Sequence, residues 1–183
     1  NLVMAGTFLE SGQIPVMAAL GLCLLLIGFL FKVSVVPFHM WAPDVYDGAP
    51  TPVTGFMATA AKSAGFIAFT RALFTAFGSA ATDWQPVVFV IAIASMVLGN
   101  FVALAQSSLK RMLAYSSVAH AGYLLAALWP GSWLGVSAMT FYLFGYGLTS
   151  IAAFAIVGAL GRDGERDLTL ADVAGLGEAR PWM

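Results

Sequence analysis

Residues 87–104 read VVFVIAIASMVLGNFVAL, a run without a single charged side chain. A spanning helix needs about 20 predominantly apolar residues. A strand of a membrane barrel would instead alternate apolar and polar residues. Because this run is apolar on every side, it predicts a membrane-spanning helix.

Four further segments have the same length and composition. Together the five predicted spans cover residues 14–36, 52–74, 86–106, 109–129 and 135–160. The chain is 60% hydrophobic and only 9% charged, which is more apolar than a soluble domain. We therefore predict an all-α fold, a polytopic transmembrane helix bundle over residues 1–160. Residues 161–183 are predicted to form a cytoplasmic connection to a further helix, so we expect the sequence to be a fragment of a longer protein.

Composition also excludes several classes of function. The net charge of −1 argues against a nucleic-acid partner. Cys23 is the single cysteine, so neither a disulfide nor a CxxC metal site is available within the chain.

Basic residues predict the orientation of the bundle. The links after spans one, three and five share one side of the membrane. Near these links lie Lys110, Arg111, Arg162, Arg166 and Arg180, against Arg71 near the other side. Cytoplasmic loops carry an excess of Lys and Arg. This side is therefore predicted to be cytoplasmic.

The first span is predicted to be broken at Pro37, because proline lacks the backbone donor that a helix needs. Backbone groups freed at membrane depth must line a cavity or be buried in protein. Lys32 lies about one turn before this break and is a candidate for ion movement. The alternative is that Lys32 extends to the nearby cytoplasmic interface and has no functional role.

Lys62 lies near the centre of the second span, about ten residues from either end. A charged group at the bilayer centre costs a few kcal/mol, so such residues usually face a polar cavity or an ion path. Thr59, Ser63 and Thr70 lie on or beside the same helix face. Lys62 is therefore predicted to lie on a hydrated path, with extension to the interface as the alternative.

His120 lies in the fourth span, with Ser116, Ser117 and Tyr123 within one turn. A histidine titrates near neutrality and can pass protons, although a neutral imidazole can also simply bond helices together. Tyr142, Tyr146 and Thr149 of the fifth span are predicted to serve packing and hydrogen bonding.

The carboxylates between Glu10 and Asp163 are Asp44, Asp47 and Asp83, all in predicted links. We therefore expect a carboxylate partner for the lysines from a segment outside the fragment.

Several motifs closely resemble the subunit N family of proton-pumping NADH-quinone oxidoreductase, respiratory complex I. They are FKVSVVPFHMWAPDVYDGAPTPVT at 31–54, AAK at 60–62, GN at 99–100 and KRMLAYSSVAHAGY at 110–123. The resemblance implies five helices of an antiporter-like fold, the first discontinuous. It implies a proton relay in which Lys32 is the central lysine of a half-channel, Lys62 the connecting lysine and His120 a link to the next half. The family's glutamate and a further lysine lie outside this sequence.

The resemblance also implies that this chain binds no cofactor and that NADH, flavin, iron–sulfur clusters and quinone belong to partner subunits. Expected partners are the other membrane and peripheral subunits, the lipid bilayer and protons, in a bacterial-type cell inner (plasma) membrane. Mrp-type cation/proton antiporters and membrane hydrogenases share the lysine and broken-helix layout and remain alternatives. A passive membrane scaffold is a third alternative, and a quinone site is less favoured because the aromatic residues form no distinct headgroup site.

Overall fold

The computed structural model of the chain describes residues 16–161 and 168–179. Its α-helices are α1 (Val16–Lys32), α2 (Trp41–Gly48), α3 (Thr51–Phe56), α4 (Lys62–Ala76), α5 (Ala81–Leu104), α6 (Leu109–Leu128), α7 (Trp133–Leu160) and α8 (Leu176–Ala179). Short 3-10 helices lie at Gly78–Ala80 and Leu170–Val173. In the described part of the chain, β structure is limited to one isolated bridge between Ser108 and Thr169. The predicted all-α class is confirmed.

Two helices in the described residues have both the length and the hydropathy to cross a membrane, Gly78–Leu104 and Trp133–Leu160. Val16–Lys32 is apolar but shorter. The helix Leu109–Leu128 carries two cations, Lys110 and Arg111, in its first turn. Five spans were predicted, and that number stays a prediction.

The interruption after α1 begins earlier than the sequence predicted. The helix ends at Lys32 and not at residue 36, and helical structure resumes at Trp41. Ser34 has a φ of 60°, in the left-handed region, so the chain has left the helix before it reaches Pro37. The predicted break at Pro37 is therefore wrong in position, although Pro37 lies inside the non-helical segment.

Hydrogen bonds fix this non-helical segment against its neighbours. The Val36 backbone N–H donates to Ser95 Oγ of α5 at 3.0 Å. The Trp41 indole donates to the Phe31 carbonyl at 3.0 Å, which ties α2 to the end of α1. The interruption is thus a defined structure held by α1 and α5.

The second predicted span, over 52–74, contains a change of helix type. A π-helical turn, Met57–Ala61, joins α3 to α4, and Lys62 is the first residue after it. A π turn shifts the angular position of the residues that follow it and is frequent at functional sites. It therefore sets the direction in which Lys62 leaves the helix.

Helices α5 and α6 pack at very short distance because glycines face backbone. A Cβ added at Gly99 would lie 2.6 Å from the Ala119 backbone nitrogen. One added at Gly122 would lie 2.8 Å from the Ala92 carbonyl oxygen. Only glycine permits this approach, which fixes the position of α6 and its polar residues.

The outer surface of the described bundle is strongly apolar. Leu134 and Phe141 of α7 are each 81% exposed, and Leu104 at the end of α5 is 86% exposed. Side chains of this kind avoid water. The surface is therefore suited to contact with lipid or with further apolar helices.

The described part of the predicted connection 161–183 packs against the start of α6. The Leu109 N–H donates to the Leu168 carbonyl at 2.9 Å, and the Leu170 N–H donates to the Ser107 carbonyl at 3.0 Å. Arg162, Arg166 and Arg180, which entered the orientation argument, lie outside the described residues.

Candidate functional site

Lys62 is buried inside the bundle, with 3% of its surface exposed. Its Nζ donates to the Ser117 carbonyl oxygen of α6 at 2.9 Å and also bonds the Ser117 hydroxyl. The side chain therefore reaches across to a neighbouring helix. It does not extend along its own helix towards an interface.

The carboxylate that would normally neutralise a buried lysine is not found in the part of the chain described. Across residues 16–161 and 168–179, ion pairs join Arg111 to Asp44 and Asp47. A desolvated ammonium without a counter-charge is held in its charged form only weakly. Within the described residues, Lys62 Nζ therefore bonds neutral oxygens of Ser117.

Two tyrosines converge on the same serine. The hydroxyls of Tyr46 and Tyr146 both interact with the Ser117 hydroxyl, and the Tyr146 hydroxyl also interacts with Ser150. Tyr46 is 1% exposed and Tyr146 is 8% exposed. Ser117 is thus the centre of a buried polar cluster that joins α2, α4, α6 and α7.

His120 lies one turn after Ser117 on α6 and is half-buried among tyrosines. Its Nδ1 is 2.7 Å from the Tyr142 hydroxyl. The imidazole centroid is 4.8 Å from the Tyr146 ring and 5.5 Å from the Tyr123 ring.

A cavity of about 160 Å³ opens beside His120. Its lining residues are Leu113, Ser116, His120, Tyr146, Thr149, Ser150, Ala153 and Phe154. Hydroxyl groups make up much of this lining, and the volume is large enough for several water molecules. The cavity therefore offers a hydratable space at the histidine.

Lys32 is the last residue of α1 and is exposed. Its stem lies beside α4, since a Cβ added at Gly65 would be 3.5 Å from Lys32 Cγ. Of the three residues predicted from sequence, Lys62 and His120 are brought together around Ser117. Lys32 stands apart from this cluster.

The sequence analysis did not predict that Tyr46 and Tyr146 belong to the candidate site. Tyr46 lies between the predicted spans 14–36 and 52–74 and was given no role, and Tyr146 was predicted to serve packing and hydrogen bonding. One signal for Tyr146 was present, because it lies four residues before Ser150 and therefore on the same face of the helix. No sequence signal placed Tyr46 near Ser117.

The cations at the start of α6 have structural partners. Lys110 is only 4% exposed and donates to the carbonyls of Asp47 and Ala49, at 3.3 and 3.2 Å. Ser108 Oγ donates to Asp47 Oδ1 at 2.8 Å. These contacts, with the Arg111 ion pairs, hold α2 against α6 and so hold Tyr46 near Ser117.

A larger cleft of about 670 Å³ lies between α3 and α7. Its lining is mostly apolar and carries no titratable side chain, whereas His120 and Tyr146 line the smaller cavity. In residues 16–161 and 168–179, no group of three or more His, Cys, Asp or Glu side chains could hold a metal ion.

Comparison with known proteins identifies the family. Residues 2–183 match the family described as NADH:quinone oxidoreductase/Mrp antiporter, TM. The chain is 48% identical over 173 residues to NADH-quinone oxidoreductase subunit N of Trichlorobacter lovleyi, covering 94% of this chain and 36% of the relative. It is 46% identical over 179 residues to subunit N 1 of Solibacter usitatus, covering 98% of this chain and 37% of the relative. The chain thus spans a little over a third of the length of these relatives.

Solved structures share the fold. A chain of respiratory complex I from Thermus thermophilus with bound aureothin is 37% identical, with a TM-score of 0.73, covering 98% of this chain and 41% of that chain. A chain of an archaeal membrane-bound sulfane sulfur reductase is 25% identical, with a TM-score of 0.76, covering 92% of this chain and 35% of that one. A chain of the Mrp complex from Dietzia sp. is 22% identical, with a TM-score of 0.74, covering 87% of this chain and 32% of that chain. At this identity the similarity shows the fold alone. Because the family match extends over residues 2–183, the chain is an integral membrane protein that belongs to the NADH:quinone oxidoreductase/Mrp antiporter transmembrane family.

Proposed function

We propose that this chain is part of subunit N of a proton-translocating NADH-quinone oxidoreductase and that Lys32, Lys62 and His120 form its proton relay. In this proposal electron transfer occurs in other subunits and drives proton movement here. The observation that carries the proposal is the burial of Lys62, 3% exposed and bonded to Ser117. A lysine is rarely kept in such a place unless its charge is used.

Lys62 suits this role because its protonation responds to neighbouring charge. A charge that approaches or withdraws within about 4–6 Å changes the relative stability of the ammonium and the neutral amine. In the complete subunit a carboxylate from a segment outside the fragment would supply that charge. Lys62 would then take up and release a proton as the carboxylate approaches and withdraws.

His120 provides the next group on the path. Its imidazole faces the polar cavity and has a hydroxyl partner in Tyr142 at 2.7 Å. An imidazole with one bonded nitrogen can pass a proton through the other. Lys32, exposed beside α4, would receive protons from helices that lie outside this sequence.

The proposed function also implies the position of the chain in the membrane and its partners. The chain would supply five spans of the subunit, the first interrupted after Lys32, with the start of α6 on the cytoplasmic side of a bacterial inner membrane. NADH, flavin, iron–sulfur clusters and quinone would be bound by partner subunits. The other membrane and peripheral subunits of the complex and the lipid bilayer would be its neighbours.

A passive scaffold is the second candidate, and Lys110 is the observation that favours it. Lys110 is as buried as Lys62, yet it donates only to backbone carbonyls in a structural contact. Lys62 also bonds a carbonyl, that of Ser117. The scaffold reading predicts that both lysines serve stability alone.

A Mrp-type cation/proton antiporter or a membrane hydrogenase would use the same relay in a different complex, and the copurifying subunits would identify it.

The test compares Lys62→Ala with Lys110→Ala in the complete complex. Inverted membrane vesicles are supplied with NADH, and internal acidification and electron transfer are measured per assembled complex. We expect Lys62→Ala to reduce acidification by at least about tenfold, since it removes a proton carrier. Lys110→Ala should reduce the amount of assembled complex and leave acidification per complex near the wild-type value.

Either of two results would overturn the relay. The first is wild-type acidification by assembled Lys62→Ala. The second is the same acidification per complex in both variants, which would assign the two lysines one structural role.

A further inference from the structure

Two hydroxyl groups, those of Ser117 and Tyr146, lie between Lys62 and the cavity at His120. Lys62 Nζ contacts Ser117, while His120 faces the cavity one helical turn further along α6. The Tyr146 hydroxyl interacts with Ser117, and its ring lines the same cavity as His120. Ser117 and Tyr146 therefore stand between the lysine and the histidine.

We infer that Ser117 and Tyr146 form a hydroxyl bridge that carries the proton between Lys62 and the cavity at His120. This inference rests on the proposed function, because it names further residues of the same relay.

Hydrogen-bond counting explains why Ser117 can act in this way. A serine hydroxyl has one proton to donate and two lone pairs, whereas an ammonium can only donate. When Lys62 is charged, its ammonium donates to Ser117 Oγ, and the serine proton is available to Tyr146. When Lys62 is neutral, its amine can accept the serine proton, and Ser117 can accept from tyrosine. The direction of the bonds thus reverses with the charge of Lys62.

The transfer balances with a single proton. The Lys62 Nζ–H bond breaks and its proton joins Ser117 Oγ, while the proton of Ser117 passes to Tyr146 Oη. The original phenolic proton of Tyr146 passes through water in the cavity to the imidazole of His120, which accepts it. Lys62 ends neutral, both hydroxyls are restored, and one proton has moved. Rotation of the two hydroxyls returns the bridge to its starting direction.

The cavity is suited to the last step. Its lining places Ser116, Thr149 and Ser150 around Tyr146 and His120. Buried water needs two to four polar partners, and these hydroxyls provide them. Tyr46 also interacts with Ser117, but it does not line the cavity and packs its ring on Phe154 at 6.4 Å between centroids. The route therefore leads through Tyr146.

The test uses a matched pair at Ser117 in the complete complex. Ser117→Thr and Ser117→Val have nearly the same shape and differ in the hydroxyl, so packing changes affect both equally. We expect Ser117→Thr to keep more than half of the wild-type acidification per assembled complex and Ser117→Val to lose at least about tenfold. Ser137→Val is the control, because Ser137 is exposed and its hydroxyl bonds its own helix at the Trp133 carbonyl.

Tyr146→Phe provides a second measurement that keeps the ring and removes only the hydroxyl. It should lower acidification per complex by at least about tenfold. Tyr115→Phe on α6, whose ring contacts His39, should leave acidification unchanged. If neither Ser117 variant assembles, Tyr146→Phe decides the question.

Lys62→Ala, measured in the same assay, distinguishes failure of the hydroxyl bridge from failure of the proton relay. If Lys62→Ala stops pumping while Ser117→Val and Tyr146→Phe pump normally, the bridge is overturned and the relay stands. If Lys62→Ala pumps normally, the relay itself fails. Equal loss in Ser117→Thr and Ser117→Val, with normal pumping in Tyr146→Phe, would show a packing role for Ser117 and also overturn the bridge.

Discussion

Arg111 Nη1 lies 2.8 Å from Asp44 Oδ1, and this ion pair joins the first turn of α6 to α2. The Asp44 side chain is 74% exposed and that of Arg111 is 35% exposed. Exposed pairs of this kind contribute about 0–1 kcal/mol. The attachment of α2 must therefore depend more on the buried contacts of Lys110 and on the bond between Ser108 and Asp47.

Asp44→Ala is expected to have little effect on stability, whereas Lys110→Ala should have a large one. Loss of the exposed pair should cost under about 1 kcal/mol and should cost nothing measurable in high salt, which screens surface charge. Lys110→Ala leaves two carbonyls without their donor, at about 1–3 kcal/mol. The amount of assembled complex after a graded heat treatment measures both. An Asp44→Ala effect as large as that of Lys110→Ala would contradict this ranking.

Gly122→Ala should disrupt the contact between α5 and α6. The added methyl group would lie 2.8 Å from the Ala92 carbonyl oxygen and 2.9 Å from the Met96 backbone nitrogen, and backbone cannot move aside cheaply. Overpacking of this kind costs about 1–3 kcal/mol. We expect several-fold less assembled complex on a native gel. Gly147→Ala is the control, because no heavy atom lies within 4 Å of its added Cβ, and equal assembly of the two variants would refute the prediction.

Trp84→Phe should destabilise the start of α5. Trp84 is 2% exposed, and its indole N–H donates to the Phe77 carbonyl at 3.0 Å. Phenylalanine leaves this carbonyl unpaired and a void beside it, at about 1–3 kcal/mol. Trp133→Phe changes a side chain that is 75% exposed and should be nearly neutral. Thermal stability of the purified complex compares them, and the prediction fails if Trp133→Phe is the more harmful change.

Tyr142→Phe should slow proton pumping without preventing assembly. It removes the hydroxyl that lies 2.7 Å from His120 Nδ1 and leaves the imidazole less firmly oriented. A lost bond of about 0.5–1.5 kcal/mol corresponds to roughly a twofold to tenfold loss of rate. Tyr123→Phe is the control, because its hydroxyl bonds Asn100 Nδ2 at 3.2 Å. NADH-driven acidification per assembled complex is the measurement, and equal losses in both variants would contradict a specific role for the bond between Tyr142 and His120.

The sequence predicted those parts of the fold that depend on local composition. The apolar run within α5 specifies a helix by hydropathy. Serine is a favoured residue just before a helix, and Ser108 Oγ accepts from the Arg111 backbone N–H at the start of α6. The break after α1 was placed too late because the prediction relied on Pro37. The chain turns at Ser34, which has a positive φ. Nothing in the sequence predicts this conformation, because serine rarely adopts it.

Some residues of the candidate site could be predicted from sequence, and others could not. Lys62 and His120 could be found from sequence because a titratable side chain in an apolar helix is costly and therefore conspicuous. Lys110 was used only to predict the orientation of the bundle, and its burial depends on α2 packing over it.

The sequence by itself determined that this chain is helical, apolar and built around an isolated lysine and histidine. Only the tertiary structure decided that Lys62 meets Ser117, 55 positions away, and that Tyr46 and Tyr146 close around the same hydroxyl. The physical reason is that hydropathy and capping act within one or two helical turns, whereas the meeting of polar groups depends on helix packing. That packing is set by the close contact at Gly99 and Gly122 and by the π turn before Lys62.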